Sequence, residues 1–179
     1  MYGEKEKNPT SLHFDVYCLA NTHIFKIQLT APSGESILIG GVTSEYYSTK
    51  KTYSSEPVSS KSWDEGPDMS MDRYEFGCSL VTIGMHFLQL ENGLLSLFIS
   101  LFFSGEALYA AVAGGYSTKQ GSQASVELMD LSKTNNEREW IKGPALPWEL
   151  MEFSMITTPS GDGLLAVGGI SGNNALYSV

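Results

Sequence analysis

The stretch "PSGDGLLAVGG", residues 159–169, decides how the rest of the chain is read, because a near-copy, "PSGESILIGG", already stands at 32–41. Self-similarity of this kind marks a repeat architecture and outranks local propensity. In each copy Pro-Ser-Gly-acid is a turn signal, with Gly34 and Gly161 supplying backbone freedom that other residues lack. The apolar runs that come next, Ile37 to Ile39 and Leu164 to Val167, are too short for a helix and suit a strand buried on both faces. Each run closes on a glycine pair, Gly40–Gly41 or Gly168–Gly169, where side chains would be crowded or φ must be positive. A third copy, "GEALYAAVAGG" at 105–115, ends in Gly114–Gly115.

The segments downstream of the glycine pairs recur as well. After Gly41 come "YSTK" (47–50), Trp63, Gly66–Pro67 and Phe76; after Gly115 come "YSTK" (116–119), Trp140, Gly143–Pro144 and Phe153. The unit is an apolar strand, Gly-Gly, a polar loop, a second strand, Trp and Gly-Pro. It resembles the kelch repeat, whose unit of about 50 residues is one four-stranded blade of a β-propeller. The resemblance covers residues 32–179 and implies an all-β fold with two blades and part of a third, an incomplete ring, since propellers close with about four to eight blades.

Strands are expected near 36–41, 77–83, 107–115, 124–131, 139–142, 153–158 and 163–169, and the N-terminal segment 1–31 would belong to a preceding blade. The kelch pattern usually carries an Arg a few residues beyond Gly-Pro. Arg73 matches it, whereas "PWELMEF" (147–153) has none, and "TYSSEPVSSKS" (52–62) departs from the strand pattern legible in "ASVELMDL" (124–131).

Aligned on Phe76 and Phe153, the units differ by a surplus at 84–104, "GMHFLQLENGLLSLFISLFFS". Its uncharged core falls well short of the about 20 residues a membrane helix needs, and it is β-prone in a way that proteins usually interrupt with charges. A run of Leu, Phe and Ser is also what a translated pyrimidine-rich intron end gives, so the segment reads as an insertion foreign to the repeat.

A formal net charge of −9 and a pI near 4.7 oppose phosphate tracking, which needs a basic surface, so nucleic acid is not the expected partner. Cys18 and Cys78 are far apart and outside any metal or redox spacing; they read as two thiols, with Cys78 a small core residue. The opening "MYGEKEKNPT" lacks the apolar core of a signal peptide, which points to a cytoplasmic protein with no membrane segment.

No catalytic pattern emerges. His13, His23 and His86 show no ligand spacing, no nucleophile elbow or phosphate loop is present, and no metal or cofactor is expected. Asp64, Glu65, Asp68 and Asp72, in "WDEGPDMSMD" (63–72), lack the alternation of a calcium loop and read as a solvated patch. The expectation is a non-enzymatic protein-binding module. The resemblance implies substrate recognition for a ubiquitin ligase or a cytoskeletal scaffold, with a galactose oxidase-like propeller enzyme as the alternative.

Trp63 and Trp140 recur at equivalent points and are expected to be structural posts, together with the signature residues Gly66, Pro67, Gly143 and Pro144. Successive antiparallel strands reverse direction, so the loops after Gly-Gly and the segments after Gly-Pro share one end of the sheets, opposite the Pro-Ser-Gly turns. Loops on a scaffold carry function, and aromatic and Arg residues dominate binding energy. Tyr46, Tyr47, Arg73, Tyr116, Trp148 and Glu149 are therefore the candidate contacts, unless Arg73 ties neighbouring units together and the tyrosines only pack.

Overall fold

The computed structural model describes residues 23–55, 63–83, 107–172 and 174–176, and it is all-β. The surplus segment 84–104, Cys18, His13 and His86 lie outside the described residues.

The first sheet is a four-stranded antiparallel meander of β1 (His23–Thr30), β2 (Ser36–Thr43), β3 (Thr52–Ser55) and β4 (Asp64–Glu65), paired in that order. The second repeats it with β5 (Gly77–Ile83), β6 (Ala107–Ala113), β9 (Val126–Asp130) and β10 (Trp140–Lys142). A short hairpin, β7 (Tyr116–Ser117) with β8 (Gly121–Ser122), stands between β6 and β9. A third sheet pairs β11 (Ser154–Thr157) with β12 (Leu164–Val167), followed by a hairpin of β13 (Ile170–Ser171) and β14 (Asn174–Ala175).

Every strand expected within 32–169 is present, with ends shifted by up to two residues where the glycine pairs and turns take over. Two differences concern where a unit begins. Residues 23–30, expected in a separate N-terminal segment, form β1 and pair with β2, so each sheet starts one strand before the run that repeats in sequence. Residues 52–55, a poor sequence match, nevertheless form β3, because β2 offers an edge in register from Ile39↔Thr52 to Ser36↔Ser55. Pairing across a formed edge overrides weak strand propensity.

The sheets stack face to face. Leu29, Ile37, Ile39, Met69, Phe76, Cys78, Leu80, Ala110, Val112 and Met129 form a core between the first and second sheets. On the other face of the second sheet, Val81, Ile83, Tyr109, Ala111, Ala113, Val126, Leu128, Leu146, Leu150, Phe153, Met155 and Leu164 form the core shared with the third. Along β6 alternate residues therefore enter opposite cores, as a strand's two-residue period demands. This explains why β6 reads as a continuous run of small apolar residues. Burial raises the Cys78 thiol above its ordinary value, so it stays protonated and packs as a small hydrophobe.

The glycine pairs are the pivots between sheets. At Gly114 and Gly115 φ is 62° and 89°, a region that favours glycine, and a Cβ on Gly115 would lie 2.6 Å from the Tyr74 carbonyl oxygen. The same Cβ on Gly169 would lie 2.8 Å from the Met151 carbonyl oxygen, and Met151 stands where Tyr74 does in the preceding unit. Reciprocal backbone hydrogen bonds close each pivot: Tyr74 with Tyr116 at 3.0 and 2.8 Å, and Met151 with Ile170 at 3.0 and 2.8 Å.

Candidate functional site

The end of the sheets that carries the Gly-Gly loops also carries the segments after Gly-Pro, bonded to one another: Gly41 N–H donates to the Arg73 carbonyl and Gly115 N–H to the Leu150 carbonyl, at 2.9 and 2.7 Å. The Pro-Ser-Gly turns close β1–β2 and β11–β12 at the opposite ends of these strands, where residues 84–106 connect β5 to β6.

A buried polar hub braces the loop end between the first two sheets. Arg73 has no solvent exposure and Glu127 only 1%. Arg73 Nη1 donates to the carbonyls of Gly114 (2.9 Å) and Ser125 (3.1 Å), while Nη2 donates to Ser125 Oγ (2.9 Å) and Glu127 Oε1 (2.7 Å). The carboxylate of Glu127 also accepts from the backbone N–H groups of Ser70 (2.7 Å) and Met71 (3.3 Å). Burial pulls the Arg73 guanidinium below its ordinary range, and the charge and hydrogen bond of Glu127 oppose that pull. The candidate contact Arg73 is thereby corrected: it is sealed inside the junction and ties two units together, because a guanidinium surrounded by carbonyls and a carboxylate is held inward.

Next to it, Asp72 Oδ2 accepts hydrogen bonds from Ser48 and from Ser117 (2.9 Å for the latter). Ser48 Oγ lies 2.9 Å from Thr118 Oγ1 and accepts from the Thr118 N–H at 2.9 Å. The two "YSTK" stretches thus meet at one carboxylate. They are not equivalent in the fold, however: the first comes after a turn over residues 43–47, whereas the second begins in β7. Gln123, and not the second "YSTK", takes the place of Thr49, since each N–H donates at 2.9 Å to the carbonyl of its unit's second glycine. The repeated tetrapeptide is a misleading alignment marker.

Of the other acidic residues of 63–72, Glu65 and Asp68 are paired with lysines of the same unit. Lys51 pairs with Glu65 and, at 3.2 Å, with Asp68; Lys50 lies 3.4 Å from Asp68. The hydrogen bonds that the Lys51 ammonium donates to Glu65 and then to Asp68 push its pKa up to about 12. Among the described residues no three His, Cys, Asp or Glu side chains converge as metal ligands, and no helix is long and apolar enough to cross a membrane.

Trp140 spans the gap between sheets, its Nε1 donating to Thr52 Oγ1 (3.1 Å) and the Pro67 carbonyl (3.2 Å) of the first unit. Trp63 is half-buried and precedes β4 as Trp140 opens β10. At the turn end, Arg138 forks onto Glu35 at 2.5 and 2.9 Å, a tie between sheets that sequence reasoning missed; its signal was the acid in the Pro-Ser-Gly-acid turn.

Of the other candidate contacts, Tyr46 is 75% exposed, Tyr47 57% and Trp148 44%, and Glu149 beside it is exposed. Tyr46 sits at φ 62° in the turn whose ends are joined by the Thr43 N–H and Tyr47 carbonyl at 2.8 Å. Tyr116 is half-buried and packs edge-on against Tyr74 with ring centroids 5.6 Å apart, so it belongs to the pivot. The structure therefore leaves Tyr46, Tyr47, Trp148 and Glu149 presented to solvent at the loop end. Comparison with protein-family models and with curated proteins returns no match.

Proposed function

We propose that the chain is part of a kelch-like β-propeller and works as a non-enzymatic platform that binds another protein at the loop end of its blades. The repeated antiparallel meander, the glycine pivots and the Trp140 post support the blade reading. The observation that carries the functional one is the contrast within the loop end: Tyr46, Tyr47 and Trp148 stand out into water, while Arg73, Asp72, Ser48 and Ser117 at the same end are locked in hydrogen bonds. Exposed aromatics on braced loops bind at low entropic cost, because little freedom remains to be lost. A ubiquitin-ligase substrate or a cytoskeletal protein is the partner class that the kelch resemblance supplies.

The test is alanine substitution with two readouts. Tyr47→Ala and Trp148→Ala should weaken capture of the cellular partner by tenfold or more while leaving the denaturation midpoint in place. Trp140→Ala should lower the midpoint first. Equal loss of stability in all three, or unchanged capture by the first two, would sink the assignment of this face.

A further inference from the structure

The charges at the loop end decide what chemistry the exposed aromatics can bind, an inference that rests on the binding reading above. The loop end is one continuous surface. Ser48, next to Tyr46 and Tyr47, exchanges hydrogen bonds with Thr118 of the β7–β8 hairpin. Just beyond that hairpin, the Gln123 carbonyl accepts from the Leu150 N–H at 3.0 Å, which ties in the segment carrying Trp148 and Glu149. The Glu152 N–H then reaches back to the Glu75 carbonyl at 2.9 Å.

The cations of this end are largely paired, and its outer acids are not. Lys50 and Lys51 are held by Asp68 and Glu65, and Arg73 is sealed against Glu127, which leaves Lys119 exposed. Glu45, Glu75, Glu149 and Glu152 all reach solvent, and none of them forms an ion pair among the described residues. Two of these carboxylates adjoin the exposed rings in the chain, Glu45 before Tyr46 and Glu149 after Trp148. At the other two, partial burial and then the charge of Glu152 lift the Glu75 carboxyl above its ordinary value, a repulsion that a cation brought there would relieve.

An acidic segment laid on this surface would meet unpaired carboxylates of its own sign. A purely apolar one would desolvate those carboxylates and give them no partner. A guanidinium answers both features, because it forks onto a carboxylate, stacks on an aromatic face and is weakly hydrated. We propose that the loop end binds a basic, arginine-bearing segment of its partner protein, recognised jointly by the rings of Tyr46, Tyr47 and Trp148 and by the carboxylates of Glu45 and Glu149.

A peptide of alternating glycine and arginine tests this by isothermal titration into the full chain at low ionic strength. Its control carries citrulline, an uncharged urea of the same shape, at each arginine. The arginine peptide should bind about tenfold or more tightly than the control, and its advantage should shrink as salt is raised. Glu149→Lys should weaken it about tenfold, whereas Glu139→Lys makes the same change of charge at an exposed position toward the turn end and should leave affinity within about twofold. Trp148→Ala should weaken it about fivefold. Failure of the arginine peptide to bind, equal binding of the control, equal losses from the two lysine substitutions, or no loss from Trp148→Ala would overturn the proposal. The binding reading itself is decided separately, by capture of the cellular partner with the Tyr47 and Trp148 variants.

Discussion

The two junctions between sheets have the same backbone and opposite chemistry. In the first, a buried Arg73–Glu127 pair with two accepted backbone N–H groups fills the space beside the Gly114–Gly115 pivot. In the second, Leu150 occupies the place of Arg73 and packs with Phe153 against Gly169 of the pivot. The difference teaches that the pivot is set by glycine conformation and carbonyl contacts. The side chain above it is free to vary, a guanidinium in one junction and a leucine in the other.

The largest effect is expected from breaking the charged junction on one side. Glu127→Leu leaves a guanidinium buried without its carboxylate and should cost about 3–5 kcal/mol, read as a lower midpoint in urea denaturation. The double change Arg73→Leu with Glu127→Leu converts the first junction to the chemistry of the second and should recover most of that loss, since apolar replacement of a buried pair is often neutral. A double variant no more stable than the single one would show that the junctions are not interchangeable.

Leu150→Ala probes the other junction. It should cost about 2–4 kcal/mol by lost burial and cavity formation, independent of ionic strength. The pivot itself is tested by a pair of glycines. Gly115→Ala places a methyl group against the Tyr74 carbonyl and should cost more than Gly121→Ala, whose φ is also positive at 79° but whose Cβ meets nothing within 4 Å. The latter should cost only the left-handed backbone term, about 1–2 kcal/mol. Equal losses would mean that close approach contributes nothing.

The smallest expected effect is a titration. Glu75 and Glu152 occupy equivalent positions before β5 and β11, with φ 55° and 54°, and the Glu152 N–H donates to the Glu75 carbonyl at 2.9 Å. Partial burial and then the charge of Glu152 raise the Glu75 carboxyl above its ordinary value of 4.5. A carboxyl raised on folding penalises the fold once it is ionised, and the penalty disappears as pH falls through the folded value. Glu75→Gln should therefore stabilise the chain by a few tenths of a kcal/mol near pH 7, where solvent screens most of the repulsion, and not at all near pH 4. A gain that persists at the lower pH would show that the carboxylate charge is not its source.

β2, β6 and β12 were legible because apolar runs ending in Gly-Gly leave few alternatives to a strand that must stop, whereas β3, β4 and the β7–β8 hairpin carry no such run. β1 was not, since the alignment began at the turn after it, and nothing in a sequence repeat says which strand opens a sheet. Tyr46, Tyr47 and Trp148 were legible as loop aromatics. The burial of Arg73 was not, because its partners, Gly114, Ser125 and Glu127, come together with it only once the second sheet stacks on the first.

The connection between β5 and β6 has a practical consequence. Their register runs unbroken from Gly77↔Ala113 to Ile83↔Ala107, although residues 84–106 join them where the first sheet uses only residues 31–35. Closing the longer connection costs only about 1 kcal/mol more, because closure entropy grows with the logarithm of length. Side-chain pairing along the two strands, and not the connector, aligns them. The Ile83 and Ala107 ends of these strands thus mark a graft site: a fluorescent reporter or a whole foreign domain inserted between them, at the opposite end of the sheet from the aromatic loops, should be carried by the scaffold without re-registering a single strand.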